Sequence, residues 1–592
     1  MRTFKHFMER FMQTAERHIC LIAVVGVAAA MLLPFLGLTE FSTKGEPREA
    51  VVALSMIDGG DWILPVNNGC DIPYKPPFMH WIIALCALAD GHVGEYVSRL
   101  PSALALLAIT IGCYCFFARR KGQGVAALAA ILALTSFEVH RAGVNCRVDM
   151  VLTACTVGAM LLLYRWRETG KWWMALLAVL CMSGAVMTKG PVGMVLPCLV
   201  MGIYALLRGD RLWPTAGRMA AVGLLACVLP ILWYIAAWRE GGQHFLDLVI
   251  EENVGRMTGT MSYGSHEHAW PYNFFTLITG WMPWTLLVLF SLPVLPWRKM
   301  VGTLTGAAKA PKWRTWAARL REGDPVRLFV WVAFGTVFVF YCLPSSKRSV
   351  YLLPCYPFMA QLLAEYIVWL VDSGRRAPVR IFAATLGVLA IGVTAVFVAV
   401  RMGWMPDMLT HGRHAADNIA MVEALAHLPL SRWTFVLAAV PAIAGIDVLV
   451  MMVRRRSRSD RSALIAMPVL LLVTIFLALD GVYQPTVMNT KSLRPMAELI
   501  DRRYPTDRLY SYIADDMMHF FGANFYSGDR IGEFESARPD KGVLLIVDND
   551  RAAFFARHTD YTFTPDGDAG ATKNEMKQKV YFYRFEKTGC GQ

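Results

Sequence analysis

Apolar residues run through this chain in blocks of about 18–22, each long enough to cross a hydrocarbon core of roughly 30 Å as a helix. Thirteen such spans are read: 19–37, 97–117, 122–138, 149–165, 173–188, 191–207, 218–237, 273–296, 326–343, 350–371, 380–400, 433–453 and 463–481. Residues 77–91 are apolar but too short to cross, and are expected to lie at the interface as a juxtamembrane helix. From about residue 482 the pattern turns charged and polar. There, Val543–Val547 and Val580–Tyr583 read as strands, and Ser492–Arg503 as a helix. The expected fold is mainly α: a polytopic membrane protein of about 13 transmembrane helices over residues 1–481, followed by a small α/β domain, 482–592, outside the membrane. The first outer loop covers about 38–96.

Composition agrees with the pattern. Of 592 residues, 56% are hydrophobic and only 17% charged, which excludes a soluble multi-domain enzyme, a disordered chain and a disulfide scaffold. Continuous rather than alternating apolar runs exclude an outer-membrane barrel. The net charge of +13 is placed by its distribution: every second connection is basic, as in Arg119-Arg120-Lys121, Arg165 to Lys171, Arg208 to Arg218, Arg298 to Arg327, Arg375 to Arg380 and Arg454 to Arg458. This is positive-inside charge and not a nucleic-acid footprint, so no nucleic-acid partner is expected. It sets the N-terminus on the cytoplasmic side and, with thirteen spans, the C-terminal domain on the outer side. The basic leader (Arg2, Lys5, Arg10, Arg17) lacks a small-residue cleavage site near Gly37, so the first span is expected to be an uncleaved anchor. The thirteen cysteines show no bridge or zinc spacing.

Ionisable residues that charge bias does not explain gather on the outer face. They are Glu46, Arg48 and Lys75 in the first loop, Arg147 and Asp149 at the mouth of a span, Arg256 and His266 in a third loop, and Lys347 in a fourth. Ionisable groups at a span mouth are costly unless they face a cavity or a partner. Each also has a plain structural role open to it. Glu46 reads equally as a solvated loop acid, Lys75 as a snorkelling interface lysine, Asp149 as a helix cap and Arg256 as a lipid-headgroup contact. His266-Glu267-His268 is a weak metal pattern, and Lys189-Gly190-Pro191 reads as a turn between spans. Carboxylates beside fixed cations at a membrane surface suit a reaction on a lipid-linked phosphate: Lys and Arg hold the charge, and a carboxylate positions or deprotonates an acceptor.

Glu46-Pro47-Arg48-Glu49-Ala50, Gly60-Asp61-Trp62-Ile63-Leu64-Pro65 and Tyr74-Lys75-Pro76-Pro77 together resemble the first outer loop of the ArnT-like polyprenyl-phosphate-sugar glycosyltransferases, GT-C membrane enzymes related to protein O-mannosyltransferases. Arg147-Val148-Asp149, Thr188-Lys189-Gly190-Pro191, Glu252 to Arg256, and Pro344 to Pro354 continue the resemblance in family order over about residues 20–370. The resemblance implies catalytic roles for Glu46 and Asp149. It implies donor-phosphate binding by Lys75, Arg256 and Lys347, and further substrate contacts from Arg48, Arg147, Tyr74 and His266. Two departures stand out. Gly45 replaces the first member of the family's acidic pair. Tyr74 and Asn253 replace an acid and a histidine that the family associates with a metal, so no metal ligands and no cofactor are expected.

The implied function is transfer of a sugar from an undecaprenyl-phosphate carrier to an envelope acceptor, such as lipid A, at the periplasmic side of a bacterial inner membrane. The alternatives are a protein O-glycosyltransferase and a lipid-linked sugar transporter or flippase. Transporters often carry inverted repeats and mid-membrane breaks. Here the unusual ionisable groups sit at one face, which favours an enzyme.

Overall fold

The structure, a computed structural model, describes residues 18–73, 75–251, 267–297, 321–454, 461–515 and 518–588. Among these, eight helices are long and apolar enough to cross a membrane, and ten spans result if each of two bent pairs counts as one. Gln123–Leu134 meets Phe137–Gly143 at 72°, and Tyr272–Gly280 meets Trp284–Val294 at 100°. The other three expected spans fall on shorter helices, His18–Leu32, Val192–Leu207 and Tyr356–Asp372. Thirteen apolar runs therefore do not become thirteen full-length crossings among the described residues. Turns and breaks consume part of several runs, as where the run 350–371 opens with the 3-10 turn Ser349–Cys355.

Small residues set the closest helix contacts. A Cβ on Gly193 would meet Ala185 Cβ at 2.4 Å, so the helices Trp172–Lys189 and Val192–Leu207 cross nearly backbone to backbone. Gly445 lies likewise against Gly387: a Cβ there would meet the Gly387 carbonyl oxygen at 2.8 Å. Beside the basic connections, Phe116, Tyr164, Tyr204, Phe329 and Phe358 form a chain of ring contacts, with Arg120 over Phe116 and Arg167 over Tyr204. The basic connections are tied into one layer: Arg120 pairs with Glu168, Lys121 with Asp324, Arg167 with Asp210 at 2.8 Å, and Arg327 with Glu365 at 2.6 Å.

The apolar run after Lys75 forms the helix Phe78–Asp90. It buries Met79, Ile83 and Ala87 against Ala50, Ala53 and Met56 of the helix Pro47–Gly59, and leaves Leu85 and Leu88 exposed. Such a two-faced short helix suits an interface.

The last apolar helix continues past residue 481 through a π-turn, Leu479–Tyr483, and ends near Lys491, so helical structure runs some way into the stretch read as the outer domain. Beyond it lies a five-stranded sheet of order β2-β1-β3-β5-β4, with β1 Leu509–Tyr512, β2 Ile531–Glu533, β3 Lys541–Val547, β4 Tyr561–Asp568 and β5 Val580–Lys587. Strands β1, β2 and β3 are parallel; β5 runs antiparallel to both β3 and β4. The five apolar residues at the end of β3 explain its central place. Val543, Leu545 and Val547 pack on one face with Met496, Ile500 and Phe582, while Leu544 and Ile546 pack on the other with Phe534 and Phe554. A strand buried on both faces needs such an unbroken run.

Candidate active site

Pro47 sits at the first position of the helix Pro47–Gly59, where its missing N–H costs nothing, and this places Glu46 at the helix cap and Glu49 one turn later. The two acids point to different partners. Both oxygens of Glu46 accept from Arg99, at 2.8 Å from Nε and 3.0 Å from Nη2, and Oε1 also accepts from the Cys146 backbone N–H at 2.9 Å. Arg99 is buried in turn, and its Nη1 donates to the carbonyls of Leu36 and Thr39. Burial alone would raise the Glu46 carboxyl; the Arg99 guanidinium and the Cys146 N–H more than offset this and hold it below the usual carboxylate range. Glu46 and Arg99 line a cavity of about 110 Å³ that reaches Asp480 and Gln484.

Glu49 belongs to a different and larger cavity, of about 430 Å³, which Arg48, Lys75 and His80 also line. Its Oε1 accepts from Lys75 Nζ at 2.9 Å, with Arg48 Nη2 at 3.6 Å, and its Oε2 lies 3.0 Å from His80 Nε2. Burial again opposes ionisation, but Lys75, then His80 and Arg48, hold this carboxyl well below its ordinary value. Thus Lys75 and Arg48 do meet a carboxylate at a cavity, and that carboxylate is Glu49. Glu49 stood in the sequence motif Glu46-Pro47-Arg48-Glu49-Ala50 but was not singled out; the signal for it was its place three residues after Glu46 in a helix opened by proline.

Asp149 is buried at the start of the helix Val148–Thr169, and it does not cap that helix: Arg147 holds the cap position, with no side-chain cap bond. Asp149 pairs with Lys189, whose ammonium also lies 4.3 Å from the Tyr351 ring centroid. Lys189 stands, as read, at the turn between the helices Trp172–Lys189 and Val192–Leu207, and it is also the partner of a candidate acid. Arg147 fills the space left by the missing acid: a Cβ on Gly45 would fall 1.9 Å from its Nη2.

Lys347 is turned away from phosphate binding. It is buried, and its ammonium donates to the carbonyls of Pro344 at 2.6 Å and His268 at 3.0 Å, with Ser345 at 3.5 Å. It joins its own segment to that of His268, where Glu267 and Ser346 form an isolated bridge. Tyr74, Arg256 and His266 lie outside the described residues. Among the described residues no group of three or more His, Cys, Asp or Glu is arranged to hold a metal ion. Neutral Tyr and Asn at positions 74 and 253 are poor substitutes for a carboxylate and an imidazole as metal ligands.

Part of the larger cavity comes from the C-terminal region, where His519, Glu533 and Ser536 join Cys70 and Asp71 of the first loop. The turn carrying Cys70 is fixed by its own sequence. Asn68 (φ 50°) and Gly69 (φ 79°) adopt the left-handed pair that an Asn-Gly turn favours, closing an Asn67–Asp71 bridge. Asp529 accepts from the Asn68 N–H at 2.9 Å and the Ser55 hydroxyl at 2.8 Å, and Asn524 donates to Asn68 Oδ1 at 2.6 Å. These contacts were illegible in the sequence because the partners are more than 450 residues apart.

Comparison with known proteins gives this geometry a context. Residues 74–234 match the family described as dolichyl-phosphate-mannose-protein mannosyltransferase. An uncharacterized protein of Aquifex aeolicus is 28% identical over 338 residues, 56% of this chain and 60% of that one. The undecaprenyl phosphate-alpha-4-amino-4-deoxy-L-arabinose arabinosyl transferase of Edwardsiella ictaluri is 24% identical over 61% of each chain, and that of an Enterobacter strain 25% identical over 63% of this chain and 65% of its own. The chain thus spans less than two thirds of the length of each of these relatives. The crystal structure of ArnT from Cupriavidus metallidurans bound to undecaprenyl phosphate superposes with a TM-score of 0.66 at 19% identity, covering 95% of this chain and 97% of the other. In the order of its sequence motifs and in its fold, the chain is a multi-pass membrane protein that resembles the ArnT-like glycosyltransferases of the GT-C type.

Proposed function

We propose that the protein is an inner-membrane glycosyltransferase that moves a sugar from an undecaprenyl-phosphate carrier to an envelope acceptor on the periplasmic side. The observation that carries this reading is the cavity in which Lys75 and Arg48 stand beside an ionised, buried Glu49 at the interface helix. In the proposed reaction an acceptor oxygen attacks the anomeric carbon. The bond from that carbon to the carrier phosphate breaks, and the phosphate leaves with the electron pair. Lys75 and Arg48 stabilise the charge on the leaving phosphate, Glu49 holds Lys75 in place, and His80 holds Glu49. No step runs through a metal.

A carboxylate held well below its ordinary pKa is a weak base. An acceptor already ionised at neutral pH, such as a lipid A phosphate, therefore suits this site better than a neutral hydroxyl. The family matched over residues 74–234 supports a second reading, transfer to a protein hydroxyl. The layer of basic connections at the other end of the bundle supports a cytoplasmic N-terminus. Mass spectrometry of lipid A, envelope glycans and glycoproteins from a deletion strain tests the proposal. Loss of a sugar from lipid A is the expected result, loss from a protein would favour the second reading, and three unchanged profiles would sink both.

A further inference from the structure

We infer that the wall shared by the first outer loop and the C-terminal domain is the subsite that recognises the transferred sugar, with Asp71 and Glu533 accepting from its hydroxyl or amino groups. This rests on the carrier-lipid reading above and adds to it the part of the molecule that selects the sugar.

The cavity has two chemically different sets of side chains. Arg48 and Lys75 are cations suited to phosphate. Among the described residues Asp71 and Glu533 form no ion pair with Lys or Arg: Asp71 Oδ2 lies 2.8 Å from His519 Nε2 and accepts from Asn68 Nδ2 at 3.1 Å, and Glu533 accepts from the Cys70 thiol at 3.2 Å and from the Ser536 hydroxyl. Burial, together with the charges of Asp71 and Glu533, pushes the Cys70 thiol up to about 12, so it remains a donor and adds no negative charge. An ionised carboxylate has room for about four hydrogen bonds; among the described residues both Glu533 contacts fall on Oε2, and Asp71 Oδ1 meets the Cys70 thiol at 3.7 Å, so each acid keeps capacity on one oxygen. A phosphate brought to this wall would be repelled. A polyhydroxylated or aminated ring would be held by charge-assisted bonds of the kind that discriminate strongly against analogues lacking the group.

His80 lines the same cavity, but its ring is almost fully buried and its Nε2 already meets Glu49, so it shapes the cavity wall. The wall is also rigid: the Asn68-Gly69 turn is pinned by Asp529 and Asn524, and a Cβ on Gly69 would touch the backbone of Gly532 at 3.0 Å. Fixed acceptors with spare capacity, in a cavity of about 430 Å³, describe a binding surface for a small polar ring.

The test uses the full-length protein in lipid nanodiscs. Its probes are undecaprenyl phosphate and synthetic undecaprenyl-phosphate esters of a panel of pentoses, hexoses and their amino derivatives. Wild type is expected to bind at least one ester more tightly than undecaprenyl phosphate itself. Glu533→Gln and Asp71→Asn, which keep shape and lose charge, should each erase roughly 10- to 100-fold of that preference while leaving undecaprenyl phosphate affinity unchanged. Unchanged phosphate binding also shows that each variant is folded. A preference that survives in both variants, or no preference in wild type, overturns the sugar subsite and leaves the carrier reading standing. Wild type that fails to bind undecaprenyl phosphate overturns the carrier reading and the subsite with it.

Discussion

Glu46 grips Arg99 through both of its oxygens, and it is Glu49, one helical turn on, that reaches Lys75. The two acids therefore predict different phenotypes. Glu46→Gln leaves a buried guanidinium facing a neutral amide and should destabilise the protein by about 3–5 kcal/mol, seen as a lower melting temperature in detergent. Glu49→Gln should fold normally and lose transfer activity. Because neighbouring cations hold its carboxyl well below 4.5, wild-type activity should not change through this group between pH 5 and 8. A Glu46→Gln protein of wild-type stability that alone has lost transfer would reverse the two roles.

Lys75→Ala removes a fixed cation from the proposed phosphate site. Affinity for undecaprenyl phosphate is predicted to fall roughly 10- to 150-fold, the loss of about 1.5–3 kcal/mol expected for one charge-assisted bond. Isothermal binding with the unglycosylated lipid measures this directly. Equal affinity in mutant and wild type would remove Lys75 from the donor site.

Gly45→Asp is predicted to place a carboxylate against the guanidinium that now occupies the gap, since even a Cβ there would meet Arg147 Nη2. The new pair should neutralise Arg147 and weaken binding of anionic lipid to about the same extent as Arg147→Met. Comparing the two variants in one binding assay checks the prediction, and a Gly45→Asp protein that binds more tightly than wild type would refute it.

Glu575 predicts a pH dependence in the C-terminal domain. Burial raises its carboxyl to about 7, against the Gly522 N–H and Lys44, which lower it, and its Oε2 has no partner among the described residues. A carboxyl that is easier to protonate in the folded state adds stability below its unfolded value of 4.5 and loses it as pH rises to about 7. Unfolding of the domain should therefore become easier between pH 4.5 and 7 through this group. Glu575→Gln should remove that slope, as read by thermal melts at stepped pH.

A resident metal is not part of the proposed reaction, because Tyr74 and Asn253 stand where the family's ligands would be. Activity after EDTA treatment is predicted to equal activity before it, with no stoichiometric zinc on elemental analysis. Activity abolished by EDTA and restored by zinc would require other ligands.

How much of this was legible in the sequence follows from the range of each interaction. Transmembrane helices announce themselves locally, and the unbroken run Val543–Val547 announced a strand, whose central place came from the structure. Crossings did not follow so simply, since a bend such as that between Leu134 and Phe137 divides one apolar run. In the site, Lys75 was legible from its motif, whereas the choice of Glu49 over Glu46 depended on Arg99, which lies 53 residues from Glu46. Lys347 misled for a related reason: a lysine at a loop reads as a free cation until its carbonyl partners are placed. His519 and Glu533 had no local pattern to reveal them.

The docked Asn68 turn bears on how the protein is made. Its anchor, Asp529, follows 461 residues later, so ribosomes adding roughly 5–20 residues per second leave the turn unanchored for roughly 20–90 s. During that interval the remaining helices are inserted while the cavity lacks one wall. Nascent chains arrested before residue 509, which lack the whole sheet, should therefore expose the 67–71 segment to protease, and release of the full-length chain should close it.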